Sequence, residues 1–354
     1  MNEDPIHNRR GGYSLYFVLL ATAVVVLFVL NLALGSVDIP IGDIVAILGG
    51  GEVGNGAWHK IVINIRIPRA VTAILAGSAL SVGGLQMQTL FRNPLAGPSV
   101  LGITAGASLG VAIVMLAAGT ITSIFAIQQF SALGSWLIVG AASAGAAGVL
   151  LLILLISIKV RDNVTLLIIG LMIGNITIAV VSVWQYFSSP EQIQDYLIWT
   201  FGSLGGVPLN QLWILGAVTI VGGGLALALS KPLNGLLLGE NYARSMGLSV
   251  TASRIWIIVS TSLLAGGITA FCGPIGFVGI AVPHLTRSLL GTNDHRVLIP
   301  ATLLMGALLL LACDIIAQVP GSSTTLPISA VTSMVGSPVV IWVIIQRKNL
   351  KASF

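Results

Sequence analysis

Few residues in this 354-residue sequence could do covalent chemistry, and their spacing argues against it. Cys272 and Cys313 lie far apart inside apolar segments and form no CxxC. With the scattered His7, His59, His284 and His295 they make no metal-type spacing, so neither a metal nor a cofactor is expected. No lysine is followed by Ser or Thr, so the GxxxxGK[ST] phosphate loop is missing and the chain cannot hydrolyse ATP by that route. GGGEVG at 49–54 matches GxGxxG, but no strand precedes it and the match reads as chance. Asp38 and Asp43 are a lone acidic pair, not the clustered aspartates a membrane prenyl transferase needs to hold magnesium and diphosphate. No Ser-His-Asp or HExxH arrangement is present, and no catalytic residue is expected.

Polar groups that could serve a passage are more plentiful. The middles of the apolar segments contain no Asp, Glu, Lys or Arg, and Asp314 and Arg287 stand towards segment ends. Ion-coupled pumps bury carboxylates or histidines as relays, and that equipment is missing. Gly102, Gly106 and Gly110 keep small-xxx-small spacing, as do Gly170 and Gly174, which points to close helix packing. Asn175, Gln185 and Tyr186 are candidates to face a polar passage, since burying them in lipid without partners costs several kcal/mol.

The elements that must carry these residues follow from composition. The chain is 56% hydrophobic and 8% charged, against about a quarter charged in soluble domains. Lipid must therefore cover most of its surface. A spanning helix needs roughly 20 apolar residues, and ten candidates run near 13–34, 69–91, 99–118, 132–158, 164–187, 210–229, 255–272, 276–290, 297–317 and 328–346. The eighth is short, bounded by Gly273-Pro274, and reads as a broken or partial span. The first, about 22 residues, exceeds the ~7–15-residue apolar core of a signal peptide and is read as retained, although Ala33-Leu34-Gly35 resembles a cleavage site.

With the N-terminus inside, alternation puts 13 of the 16 Lys and Arg residues on the inner side and only Lys60, Arg66 and Arg69 outside. The bias of positive charge towards the cytoplasm supports ten spans with both termini cytoplasmic. The fold class is thus an all-α, polytopic membrane protein with a tail at 1–12, one transmembrane domain at 13–346 and a tail at 347–354. The net charge of +5 is too dispersed for nucleic acid binding. Two connections are long. Within the outer 35–65, IPIGDIVAILGG reads as a short helix lying on the membrane surface. The inner 231–254 reads as a short amphipathic helix pair. There Leu236, Leu237, Tyr242, Ala243 and Met246 share a face, and Glu240 and Arg244 form an i,i+4 pair.

Residues 66–110, RIPRAVTAILAGSALSVGGLQMQTLFRNPLAGPSVLGITAGASLG, resemble the permease family of type II ATP-driven importers of ferric siderophores, haem and cobalamin. Further matches follow in order: LNGLLLGENYARSMGLSV at 233–250, GPIGFVGIAVPHLTRSLLGTNDHRVLIP at 273–300 and LPISAVTSMVGSPVVIWVI at 326–344. The resemblance implies a cobalamin-importer-like fold of ten helices per subunit, two subunits around a central passage, ATPase subunits on the cytoplasmic side and a substrate-binding protein docking outside. It implies roles for single residues. Arg66 and Arg69 match the family's RxPR, whose arginines pair with glutamates of the docked protein. Asn93, Pro94 and Leu95 match one inner gate, and Asn163 and Val164 fall at the other. Leu238, Gly239, Glu240, Tyr242, Ala243, Arg244 and Gly247 match the segment that couples to the ATPase.

There are departures. Where the family carries an Arg and a Pro-Ala-Glu-Leu-Pro run, this chain has Gln318 and Ser323-Thr324-Thr325-Leu326-Pro327, and Ser329 replaces a Gly. One docking contact is thereby in doubt. The resemblance implies alternating access, with ATP hydrolysis moving 233–250 and shifting the inner gates. It also implies a homodimer of permeases in a bacterial inner membrane. Ferric siderophore is the first expectation for cargo, with haem and cobalamin open. The rivals are an ion-coupled secondary transporter and a membrane-embedded enzyme, and the missing intramembrane carboxylates and catalytic cluster argue against them.

Overall fold

The computed structural model describes residues 5–35, 37–51, 56–117, 132–160, 162–321 and 324–345. Glu52, Arg161, Ser323, Arg347, Lys348, Lys351 and the tail expected at 347–354 lie outside the described residues. No strand occurs among the described residues. Seven helices are long and apolar enough to cross a membrane. They are α1 (Pro5–Ala33), α4 (Ile67–Leu90), α6 (Ala132–Lys159), α7 (Asn163–Phe187), α9 (Leu209–Ala228), α12 (Val250–Cys272) and α14 (His295–Ala317). Three shorter helices fall where the remaining expected spans lie: α5 (Ile103–Ala112, with a π-helical continuation), α13 (Val278–Leu290) and α15 (Ile328–Ile345).

The non-spanning helices are α2 (Ile41–Leu48), α3 (Gly56–Ile61), α8 (Pro190–Thr200), α10 (Ser230–Leu237) and α11 (Glu240–Ser245). α2 forms where a short helix was expected in the 35–65 connection, and it buries Ile44 and Ile47 against the protein. Two boundaries differ from the sequence reading. α1 begins at Pro5, inside the stretch read as a tail. The second span continues back through a π-helical turn, Val62–Arg66, into α3. Pro68 lacks the N–H of a regular helix, and the wider π turn before it accommodates that loss. α8 was not expected. Its signal was Ser189-Pro190-Glu191-Gln192, which forms a capping box at its first turn.

α4 is the axis of the bundle, with 83% of the most apolar stretch of Gly56–Leu90 buried, against 22% for α7. Small residues let its neighbours approach. A Cβ built on Gly84 would lie 1.7 Å from the Gly279 carbonyl oxygen of α13, so no larger residue fits. The Gly106/Gly110 pair is likewise closed against Ala141 and Gly145 of α6, as the small-xxx-small spacing predicts. Gln86, fully buried on α4, is held by Ser260 at 3.1 Å and by the Thr261 hydroxyl at 3.1 Å. Ser260 also donates to the Gly222 carbonyl of α9 at 2.8 Å, which ties three spans through hydrogen bonds where no water competes.

α13 has 13 residues, about 20 Å of helix against a hydrocarbon core of about 30 Å. It is therefore a partial span, as its length predicts. The irregular residues before it sit inside protein. Gly273 (φ 72°) closes on Trp199 and Gly202, Ser203 donates to the Cys272 carbonyl at 2.8 Å, and Phe277 packs on Gly336 of α15. Such backbone survives at membrane depth only where protein shields it.

Candidate functional site: an outer tie, a polar cleft and an inner platform

At one end of the bundle meet the C-termini of α1 and α14 and the N-terminus of α4. This is the outer end by the charge rule. Arg66 is 5% exposed there. One guanidinium nitrogen donates to the carbonyls of Leu32 and Ala33 at 2.5 and 2.8 Å, and the other to Val37, so Arg66 caps the end of α1. Gly35 leaves room for this crossing, since a Cβ there would sit 3.0 Å from the guanidinium. Arg69 reaches the fully buried Asp314 with Nε at 2.9 Å and Nη2 at 2.8 Å. Asn31 and Gln318 each donate to the same carboxylate at 2.9 Å.

Arg66 and Arg69, expected to pair with glutamates of a docked protein, are both engaged within this chain: the guanidinium of Arg66 is buried against carbonyls of its own chain. Arg69 keeps 18% of its side chain exposed but is paired. Gln318, where the family's Arg is replaced, is buried and points inward to Asp314 rather than outward. Ser329 uses the hydroxyl that a Gly lacks to donate to the Phe201 carbonyl at 2.7 Å, joining α15 to the end of α8.

Between α5 and α7 lies a cleft of about 430 Å³. Ser99, Thr104, Ser108, Asn175, Gln185 and Tyr196 supply its hydroxyls and amides, and no charged residue lines it. Asn175 and Gln185 thus share one concavity, whereas Tyr186 stands 83% exposed at the end of α7. The free thiols Cys272 and Cys313 are buried, and among the described residues no cluster could hold a metal. His284 bonds the Pro94 carbonyl at 2.7 Å, and His295 sits between Thr89 and Asn234. Both do structural duty.

The inner end gathers the C-terminus of α4, the N-termini of α7 and α12, and the α10–α11 pair. After α4, Arg92 takes a left-handed turn (φ 47°), and the Asn93 side chain accepts from the Leu95 N–H at 3.0 Å. Leu95 and Val164, at the two expected gates, are both exposed. Asn163 donates to Leu90 O at 2.9 Å and to Glu240 at 2.7 Å, joining the end of α4 to the start of α11. Asp162 caps α7. The Thr165 hydroxyl and N–H, at 2.6 and 2.7 Å, hold its carboxyl below the usual carboxylate range.

The expected helix pair exists as α10 and α11. Gly239 (φ 105°) and Gly247 (φ 81°) bound α11 in conformations that a side chain would strain, which accounts for glycine at both positions. The expected common apolar face is divided: Leu236 and Ala243 are buried and Leu237 is half-buried, whereas Tyr242 and Met246 are exposed, as is the neighbouring Leu238. The i,i+4 pair of Glu240 and Arg244 forms at 3.4 Å on the surface. The sequence reading passed over Arg254, whose side chain is 4% exposed and which meets Glu240 at 3.1 Å. It stands at the boundary of an apolar run, where a cation reads as an ordinary inner flank.

Known proteins share this architecture. A profile of the FecCD transport family matches residues 23–346. A vitamin B12 import system permease protein from Klebsiella pneumoniae subsp. pneumoniae is 35% identical over 97% of this chain and 95% of its own length. Its counterpart in Salmonella typhimurium is 36% identical over 83% of this chain and 88% of its own. A solved structure described as an inward-facing conformation of a transporter of the metal-chelate ABC type superposes with a TM-score of 0.80 at 26% identity, covering 94% of this chain and 99% of that one. The seven long apolar helices, the shorter ones beside them and these matches agree: the chain belongs to the FecCD transport family and is a multi-pass permease subunit of an ABC importer in the bacterial inner membrane.

Proposed function

We propose that two copies of this chain enclose a passage for a bulky metal chelate, that ATPase subunits seat on α10 and α11, and that a binding protein delivers cargo at the outer end. The observation that carries this reading is the inner platform. Leu238, Tyr242 and Met246 are exposed on a segment braced by Glu240, Asn163 and Arg254. Apolar side chains on a rigid base outside the spans suit a protein partner, with aromatic and Met residues as anchors. The uncharged cleft supports a weakly retaining passage, so cargo choice would rest with the binding protein. For that protein, Arg69 is the remaining candidate contact, and a partner carboxylate would have to compete with Asp314. The names of the relatives favour cobalamin over ferric siderophore as first cargo.

Two measurements test this. Tyr242→Ala combined with Leu238→Ser should lower co-purification of the ATPase at least tenfold while the permease still melts normally in detergent, and full ATPase recovery would refute the seat. Vesicles holding the complete complex should take up labelled cobalamin on ATP addition. Uptake of a ferric siderophore with none of cobalamin would move the cargo assignment back.

A further inference from the structure

We propose that Asn163, Glu240 and Arg254 form a clasp that fastens both inner gates to the coupling segment, so that moving α11 moves the two gates together. The inference rests on the importer reading above and names the residues that transmit its motion. The Asn163 side-chain nitrogen lies 2.9 Å from Leu90 O and 2.7 Å from Glu240 Oε1. Both neighbours are acceptors, so the amide can face them only with its NH2 group. Leu90 ends α4 and stands three residues before Asn93. Arg254 donates to the same Glu240 oxygen at 3.1 Å and to the Val160 carbonyl, just past the end of α6, at 2.9 Å.

One carboxylate oxygen therefore collects donors from the α6–α7 gate and from α12, and Asn163 carries the connection on to the α4 gate. Arg244 is placed differently. It is half exposed and meets the other Glu240 oxygen at 3.4 Å, a surface pairing of small strength. Arg254, not Arg244, keeps the carboxylate in place.

The test uses the complete complex of permease, ATPase and binding protein in sealed vesicles, reading ATP hydrolysed per cargo imported. A cysteine pair at Leu95 and Val164 adds a cross-linking measure of gate position with and without nucleotide. Glu240→Gln and Asn163→Ala should each raise ATP consumed per cargo about tenfold, the scale of one lost charge-assisted hydrogen bond. The double variant should be no worse than the more severe single one. Nucleotide-dependent change in cross-linking should fall with coupling, and Arg254→Lys should uncouple more than Arg244→Lys. Thr251→Ala, exposed on the first turn of α12 and outside the proposed ATPase seat, serves as the control. If Asn163→Ala fails to assemble, Asn163→Asp sets a carboxylate against Glu240 and should uncouple at least as strongly. Wild-type coupling in Glu240→Gln together with either Asn163 variant overturns the clasp. A wild-type complex without ATP-driven uptake would instead overturn the importer reading.

Discussion

Replacing Asp314 by Asn tests whether the outer tie is a structural requirement of the fold. Asp314 has no solvent exposure and receives Arg69 through Nε and Nη2, Asn31 at 2.9 Å and Gln318 at 2.9 Å. Every neighbour on this list donates. An Asn at 314 would bring its own NH2 group among donors and leave the Arg69 charge without its counterion. Breaking a buried ion pair by removing one partner costs about 3–5 kcal/mol. Arg69 retains 18% exposure and can recover some hydration, so the cost expected here is about 2–3 kcal/mol. The assay is thermal or denaturant unfolding of the purified chain in detergent, arranged as a double-mutant cycle with Arg69→Met and Asp314→Leu. The single variants should each be clearly destabilised. The double variant, which removes both charges at once, should recover most of the loss, with a coupling energy of roughly 2 kcal/mol or more. Additive costs, or an Asp314→Asn chain within about 0.5 kcal/mol of the wild type, would show that the tie contributes little and that the reasoning is wrong.

Arg66→Met should destabilise the chain by about 1–3 kcal/mol by orphaning the carbonyls at the end of α1, seen as a lower unfolding midpoint. An unchanged midpoint with weaker binding-protein affinity would favour the docking role instead. Gly84→Ala should cost about 3 kcal/mol or more, because its Cβ would meet the Gly279 carbonyl at 1.7 Å and both are backbone-held. Expression and melting at wild-type levels would refute that contact.

The sequence by itself determined that this chain is an all-helical, multi-pass membrane protein and set the expectation of which end faces the cytoplasm. Those properties depend on summed hydropathy and on the count of Lys and Arg at each end, which are local sums. It also located the short helix pair within 231–254 and the partial span after Gly273-Pro274, because turn residues and run length mark both. Side-chain partners were a different matter. Arg66 and Arg69 look alike in an RxPR string, yet one caps α1 and the other neutralises Asp314, 245 positions away. Arg254 reads as one more inner flank until α11 brings Glu240 to it. Only the tertiary structure decided these pairings, because a guanidinium finds its acceptors by where helices cross, and crossing points depend on packing between distant segments rather than on any pattern within one of them.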